Sequence, residues 1–363
     1  MLSRILPNGT SRMSTYLDPG SRFIPTQYQP ALIAEFAFDR EVPDSILFKH
    51  TRLNRSQLLD SPGLITAQDT LQLIVNLSKH LQASDVGFLL GQLCLPGHFG
   101  ALSQALMHAP HLEGALQLVV KHQALLSPLL VPHLAIGQRH AVLYWTDAFG
   151  TPAQRNLLVE MAMSAIHAMS RWLGGRAPDW TYCFNRPRPR EIAEHEVHLG
   201  PRLRFDCLID GIVIETHHLR QPWPRGSDAG LSVAMNALQG MTRPVSWLSA
   251  LYDHLLENIQ HAPSLESTAD HFGISPATLK RHLSRMGTHF QAELDMVRLH
   301  VTLQLFHDHD FDNEEAARYL GFHDAANFRR SFKRWTGLTP QLLKTDLLRH
   351  AQPMGDRDAK PAL

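Results

Sequence analysis

The side chains best suited to chemistry in this sequence are two clusters of bases. Lys280, Arg281 and Arg285 fall together, and so do Arg329, Arg330, Lys333 and Arg334. Residues three and four apart share one face of a helix, so each cluster makes a cationic surface on a helical segment. Such a surface neutralises phosphates, a salt-dependent attraction that is blind to sequence. The formal net charge is +0 over 363 residues, so the attraction has to be local. Asp308, Asp310, Asp312, Glu314 and Glu315, just ahead of the second cluster, offset the bases globally.

Covalent chemistry finds little support. There is no GxSxG elbow, no Walker loop and no GxGxxG framed by a strand and a helix. Cys94, Cys183 and Cys207 are few, odd in number and far apart. That fits a reducing cytoplasm and argues against a disulfide framework or a cysteine-rich zinc site. Cys183 and Cys207 read as ordinary buried thiols. His195 and His198, with His217 and His218, suggest a metal, yet no carboxylate or cysteine completes a ligand set at recognisable spacing. No metal, cofactor or catalytic residue is expected.

The bases need elements to hold them. In SLESTADHFGISPATLKRHLSRM, residues 264–286, Leu265 opens a short helix and Gly273 ends it. Ala269 is small, as a close helix crossing requires, and the sharp turn needs a glycine able to take positive φ. Ile274 is apolar in the turn; Ser275 and Pro276 supply an N-cap and a pre-set first helical residue. The second helix then turns Leu279, Leu283 and Met286 inward and leaves Ala277, Thr278, Lys280, Arg281 and Ser284 outward. The pattern repeats in NEEAARYLGFHDAANFRRSFKRW, residues 313–335. Ala317, Gly321 and Phe322 replace Ala269, Gly273 and Ile274, and Asp324 is the cap, one residue later than in the first copy. Phe328, Phe332 and Trp335 face inward; Ala326, Asn327, Arg329, Arg330, Lys333 and Arg334 are available to solvent or a ligand. Between the copies, Leu294, Val297, Val301 and Leu305 mark a connecting helix about 25 Å long. Two helix-turn-helix units so joined are the right size to reach successive major-groove segments, about 34 Å apart.

The remaining chain divides around these elements. Residues 1–25 read as a flexible arm, with Met13 an alternative start to Met1, and 351–363 as a disordered tail. Residues 26–224 read as a mixed domain. Thr66 caps a helix carrying Leu71, Ile74, Val75 and Leu77; HAVLYWTDA, WTYCF, RLRF and GIVIE read as strands. Residues 152–173 form a long amphipathic helix with Leu158, Met161, Ala165, Ile166, Met169 and Trp172 as its stripe and Gly174 as its C-cap, suited to the core or to a dimer interface. Breakers place a linker at 225–244, and 245–350 is almost wholly helical. The fold class is α+β, a mixed domain followed by an all-α one. Apolar runs stop short of the roughly 18–20 residues of a membrane span, and no signal peptide is read.

Residues 245–350, and AARYLGFHDAANFRRSFKRWTGLTP above all, resemble the DNA-binding domain of the AraC/XylS family of bacterial regulators. The resemblance implies two helix-turn-helix units contacting adjacent major grooves of promoter DNA. Carried over by position, the base-edge readers are Ala277, Lys280 and Arg281, then Ala325, Ala326, Asn327 and Arg330. Ala277 and Ala326 suit thymine methyls, Arg281 and Arg330 guanine, and Asn327 adenine. His323 departs from the small polar residue usual in the family. The stretches DVGFLLGQLCLPGHFGALSQALMHAPHLEGALQLVVKHQ and HEVHLGPRLRFDCLIDGIVIETHHLRQPWP resemble the family's arabinose-binding-type regulatory domain, which binds an effector, dimerises, or both. The reading is a cytoplasmic homodimeric regulator that responds to a small molecule and engages RNA polymerase. One alternative is a ligand-independent regulator whose first domain only dimerises. Another is an enzyme fused to the DNA-binding domain, as in DNA alkyl-repair proteins. That chemistry needs a nucleophilic cysteine in a repair signature or a four-cysteine zinc site, which the sequence lacks.

Overall fold

The computed structural model describes residues 16–60, 62–240, 245–308 and 311–342. The chain divides into two compact units: residues up to Leu251 with Ser284–Gly287, and Tyr252–Leu283 with the residues from Thr288 on.

The first unit opens with β1 (Arg22–Pro25), α1 (Gln29–Phe38), α2 (Asp44–Leu47), α3 (Arg55–Leu59) and β2 (Leu64–Thr66). Helices α4 (Ala67–Leu81), α5 (Val86–Cys94), α6 (Ala101–Met107), α7 (Leu112–Lys121) and α8 (Gln123–Leu126) follow. Then come β3 (Leu130–Ile136), β4 (His140–Asp147), α9 (Arg155–Gly174), β5 (Thr181–Cys183), α10 (Ala193–Leu199), β6 (Leu203–Arg204), β7 (Gly211–Glu215) and α11 (Asp228–Ala237). A five-stranded sheet has the order β3-β4-β7-β5-β6, with only β5 and β6 parallel. Ala141, Leu143 and Trp145 of β4 turn into the core, as period two requires.

Helix α9 is the centre of this unit. Leu158, Met161, Ala165, Ile166 and Met169 are buried as the stripe predicts, while Trp172 is 49% exposed beneath the guanidinium of Arg225. Val159, Met163, Ser164 and Ser170 are buried too, so α9 is covered on nearly all sides and offers little surface to a second chain. Its left-handed C-cap is Gly175, one residue beyond Gly174. Helix α5 lies against it at close range. A Cβ on Gly91 would meet the Met161 carbonyl oxygen, and Ser164 Oγ donates 2.7 Å to the Phe88 carbonyl.

Two boundaries differ from the sequence expectation. Arg22–Pro25 of the expected arm pairs with β2 and buries Phe23 and Ile24. Within the expected linker, Ser227 caps α11, which packs on α6; a Cβ at Gly230 would strike the His108 ring. Short polar flanks hid a helix whose partner is far away in sequence. The two candidate starts, residues 241–244 and the 351–363 tail lie outside the described residues.

The remaining elements are all helices: α12 (Trp247–Glu257), whose first residues count with the first unit, α13 (Leu265–His271), α14 (Pro276–Arg285), whose last two residues do likewise, α15 (Phe290–Asp308), α16 (Asn313–Tyr319) and α17 (Ala325–Thr336). Leu294, Val297, Val301 and Leu305 of α15 are all buried, as their spacing predicts. Among the described residues no helix is long and apolar enough to cross a membrane.

Candidate nucleic-acid interface

Each helix-turn-helix is built by the same local rules. Ser264 opens α13 in a reciprocal capping box with Ser267, and Asp312 opens α16 in the same way with Glu315. Gly273 takes φ +67° and Gly321 φ +71°, a conformation that only glycine adopts readily. The N–H of Ile274 donates 3.0 Å to the Ala269 carbonyl, and that of Phe322 2.8 Å to the Ala317 carbonyl. The two turns therefore close on the same pair of positions.

The recognition helices start with side-chain caps. Ser275 Oγ accepts from the Thr278 N–H at 3.2 Å, and Asp324 Oδ1 from the Asn327 N–H at 2.6 Å. His323 is the extra residue in the second copy, 3.3 Å from the Asp324 carboxylate. The Asn327 N–H and then His323 hold that carboxyl below its ordinary range, so it stays anionic and keeps capping.

Burial sorts the predicted residues. Leu279, Leu283, Phe328 and Phe332 are fully buried and Met286 nearly so. Trp335 is only half-buried, against Phe322 and Phe332 with ring centroids 5.8 and 6.2 Å away, so the inward expectation holds in part. On α14, Ala277, Lys280, Arg281, Ser284 and Arg285 are exposed; Thr278 is half-buried, with its hydroxyl 2.9 Å from Ser275 Oγ. On α17, Ala326, Asn327, Arg329, Arg330, Lys333 and Arg334 are exposed and Ala325 half-buried. Positions 277, 280, 281 and 284 form one helical face, and 326, 329, 330 and 333 another.

Among the described residues only Arg334 of these bases forms an ion pair, 3.6 Å from Asp295 of α15. Asp295 also lies 3.8 Å from Arg298, whose guanidinium stands 4.8 Å from the Phe322 ring centre and 5.9 Å from that of Trp335. Burial lowers the Arg298 pKa and raises that of Asp295, each opposed by its partner. These two residues fasten α17 to the connecting helix. Sequence reasoning passed over them, although their spacing of three on one helix was a usable signal.

The histidines do not assemble into one site. His217 and His218 are at the surface with Glu215, while His198 lies with Asp85 and Glu194. His195 sits apart from both, 2.8 Å from Arg186. Carboxylates therefore do stand beside these histidines, Glu160 lying 3.5 Å from His195, contrary to the sequence expectation; Asp85 was too distant in the chain to be linked to His198. Cys183 and Cys207 are half-buried neighbours, and the hydrogen bond between their thiols, with burial, raises the Cys183 pKa.

Residues 45–223 match the family model described as the arabinose-binding domain of AraC transcription regulator, N-terminal, and residues 268–345 a helix-turn-helix domain model. The chain belongs to the AraC family of transcriptional regulators. This regulator is 26% identical over 329 residues to the ornithine utilization regulator of Pseudomonas aeruginosa, a match covering 88% of this chain and 96% of that protein. It is 22% identical over 350 residues to the HTH-type transcriptional regulator Rv1395 of Mycobacterium tuberculosis, covering 90% and 97%. The crystal structure of the transcriptional regulator CdpR from Pseudomonas aeruginosa matches 86% of the regulator and 96% of its own chain, at 18% identity and a TM-score of 0.41. The regulator binds DNA through its helix-turn-helix domain.

Proposed function

We propose that the regulator binds double-stranded promoter DNA in the bacterial cytoplasm with α14 and α17 in successive major-groove segments. One observation carries this reading: two turns of matching geometry each lead into an exposed basic helix, and a single connecting helix joins the two units in the chain. That connector, α15, has 19 residues, about 28 Å at 1.5 Å per residue. With the widths of its neighbours it suits the roughly 34 Å between groove segments on one DNA face. Arg281 and Arg330 read guanine, Asn327 adenine, and Ala277 and Ala326 thymine methyls, with Lys280 and Ala325 beside them. Thr278, Ser284, Arg285, Arg329, Lys333 and Arg334 hold the phosphates. An insertion of about five base pairs between the half-sites, half a helical turn, then abolishes specific binding. Undiminished binding to the stretched site contradicts simultaneous engagement.

The first unit dimerises and receives the signal, and the DNA-bound dimer engages RNA polymerase. The relative named for ornithine utilization makes amino acids the first effector class to screen by thermal shift. A second reading, dimerisation without an organic effector, is favoured by the cavity between α9 and the sheet. Lined by Trp145, Leu158 and Ile166 among others, it holds about 50 Å³, against about 300–1,000 Å³ for ordinary ligand pockets.

A further inference from the structure

An ion needs no cavity of that size. We propose that Asp85, Glu194 and His198 of the first unit bind a divalent transition-metal cation such as Zn(II). The three donors come from two places in the fold: Asp85 immediately precedes α5, and Glu194 and His198 are one turn apart on α10. One ligand atom from each lies within 4.8 Å of the others.

The spacing suits ligation better than it suits hydrogen bonding. His198 Nε2 is 3.7 Å from Asp85 Oδ2 and 4.0 Å from Glu194 Oε2, beyond hydrogen-bond reach. Donors about 2.0–2.2 Å from a shared ion stand roughly 3–4 Å from one another. The His198 side chain is only 10% exposed, and its Nε2 stands beside the two carboxylates without a hydrogen bond to either. Asp85 makes no side-chain bond to the N-terminus it precedes. Among the described residues neither Asp85 nor Glu194 pairs with a lysine or arginine. The two carboxylates supply negative charge that a dication would balance.

The surroundings hold the imidazole in place. The ring stacks on Phe88, with centroids 5.1 Å apart and planes 12° apart. The Gln92 side-chain amide lies 2.9 Å from Nδ1. A half-turn of that amide presents its oxygen, which accepts the Nδ1 proton and leaves the Nε2 lone pair for the metal. Fixing the tautomer through the far nitrogen is the usual second layer of a histidine–metal site. One imidazole and two carboxylates, with water completing the shell, is a nitrogen–oxygen set suited to Zn(II), Co(II) or Mn(II).

Titrating the full chain with Zn(II) by calorimetry, after chelator treatment, tests the assignment. The expected result is one ion per chain, lost in Asp85→Asn, Glu194→Gln and His198→Ala and weakened about tenfold in Gln92→Ala. The first two changes conserve shape, so circular dichroism matching the parent separates lost ligation from lost folding. Co(II) absorption bands that vanish in the same variants support the same site. Absence of binding by the folded parent overturns the proposal. So does binding that survives all three substitutions and disappears in His217→Ala with His218→Ala, which would move the ion to the exposed Glu215 cluster.

Discussion

In the proposed complex with DNA, single side chains divide the work between reading and holding. Arg281 is exposed on the outward face of α14. Arg281→Ala is expected to cost about 1–3 kcal/mol and to relax preference at one base pair. Lys333→Ala should weaken binding to all sequences alike and flatten its salt dependence by about one unit of slope. Competition assays against a panel of single-base operator variants check both; uniform loss for Arg281→Ala would make it a phosphate contact. A different residue contributes to the acid response. Burial, then the stacked ring of His271, lowers the His254 pKa from 6.5 to about 4. Between those two values the unfolded chain takes up the proton more readily than the folded one. Stability is therefore full above pH 6.5 and falls as the pH drops toward about 4. The slope is at most about 1.4 kcal/mol per pH unit for one group, and solvent screening at a half-buried ring brings it below that ceiling. Melting temperatures across that window should decline less steeply in His254→Gln. An unchanged slope moves the effect to the other histidines whose pKa burial lowers, His133, to about 4, and His167.

At the scale of elements, the second recognition helix depends on what lies behind it. Phe328 and Phe332 are fully buried, whereas Trp335 is half-buried and shares its ring with Phe322, Phe332 and Arg298. Phe332→Ala is expected to cost about 3–5 kcal/mol, and Trp335→Ala about 1–3 kcal/mol, in the ordinary range for one substitution. Denaturant unfolding followed in the helical unit ranks the two, and an equal or larger loss for Trp335→Ala would place that ring deeper than it stands. The link from α15 through Asp295 and Arg298 bears on specificity too. A recognition helix that tilted freely would present Asn327 and Arg330 at no fixed depth. Arg334 is held by Asp295 at 3.6 Å, so a phosphate competes with that carboxylate for its guanidinium.

Across the whole molecule, legibility followed the distance over which information had to travel. The helix-turn-helix units were readable because caps, turn glycines and helical periodicity act within a few residues; Ser275, Gly273, Asp324 and Gly321 all serve as read. What was missed is non-local. Strand β3, LVPHLAI, contains a proline and lacks alternation, and it is a strand because it pairs along its length with β4. Strand β1 owes its order to β2, about forty residues later, and α11 to α6. Helix α9 showed a stripe, but its enclosure by α5 and the sheet was not visible in its own periodicity. In the site, the bases were legible, while the spacing of Asp295 and Arg298 showed a pair on one helix but not that it anchors Arg334 and the Phe322 and Trp335 rings, which lie far along the chain. For the same reason Asp85 could not be joined to His198 from spacing alone.

In the proposed complex one chain places two reading helices on one face of a duplex. Hydroxyl-radical footprinting of the purified regulator on a selected operator tests it most directly. Two protected windows per monomer site are expected, one helical turn apart, with Arg281→Ala erasing contacts in one window and Arg330→Ala in the other. A single window, or two windows on opposite faces of the DNA, would contradict it.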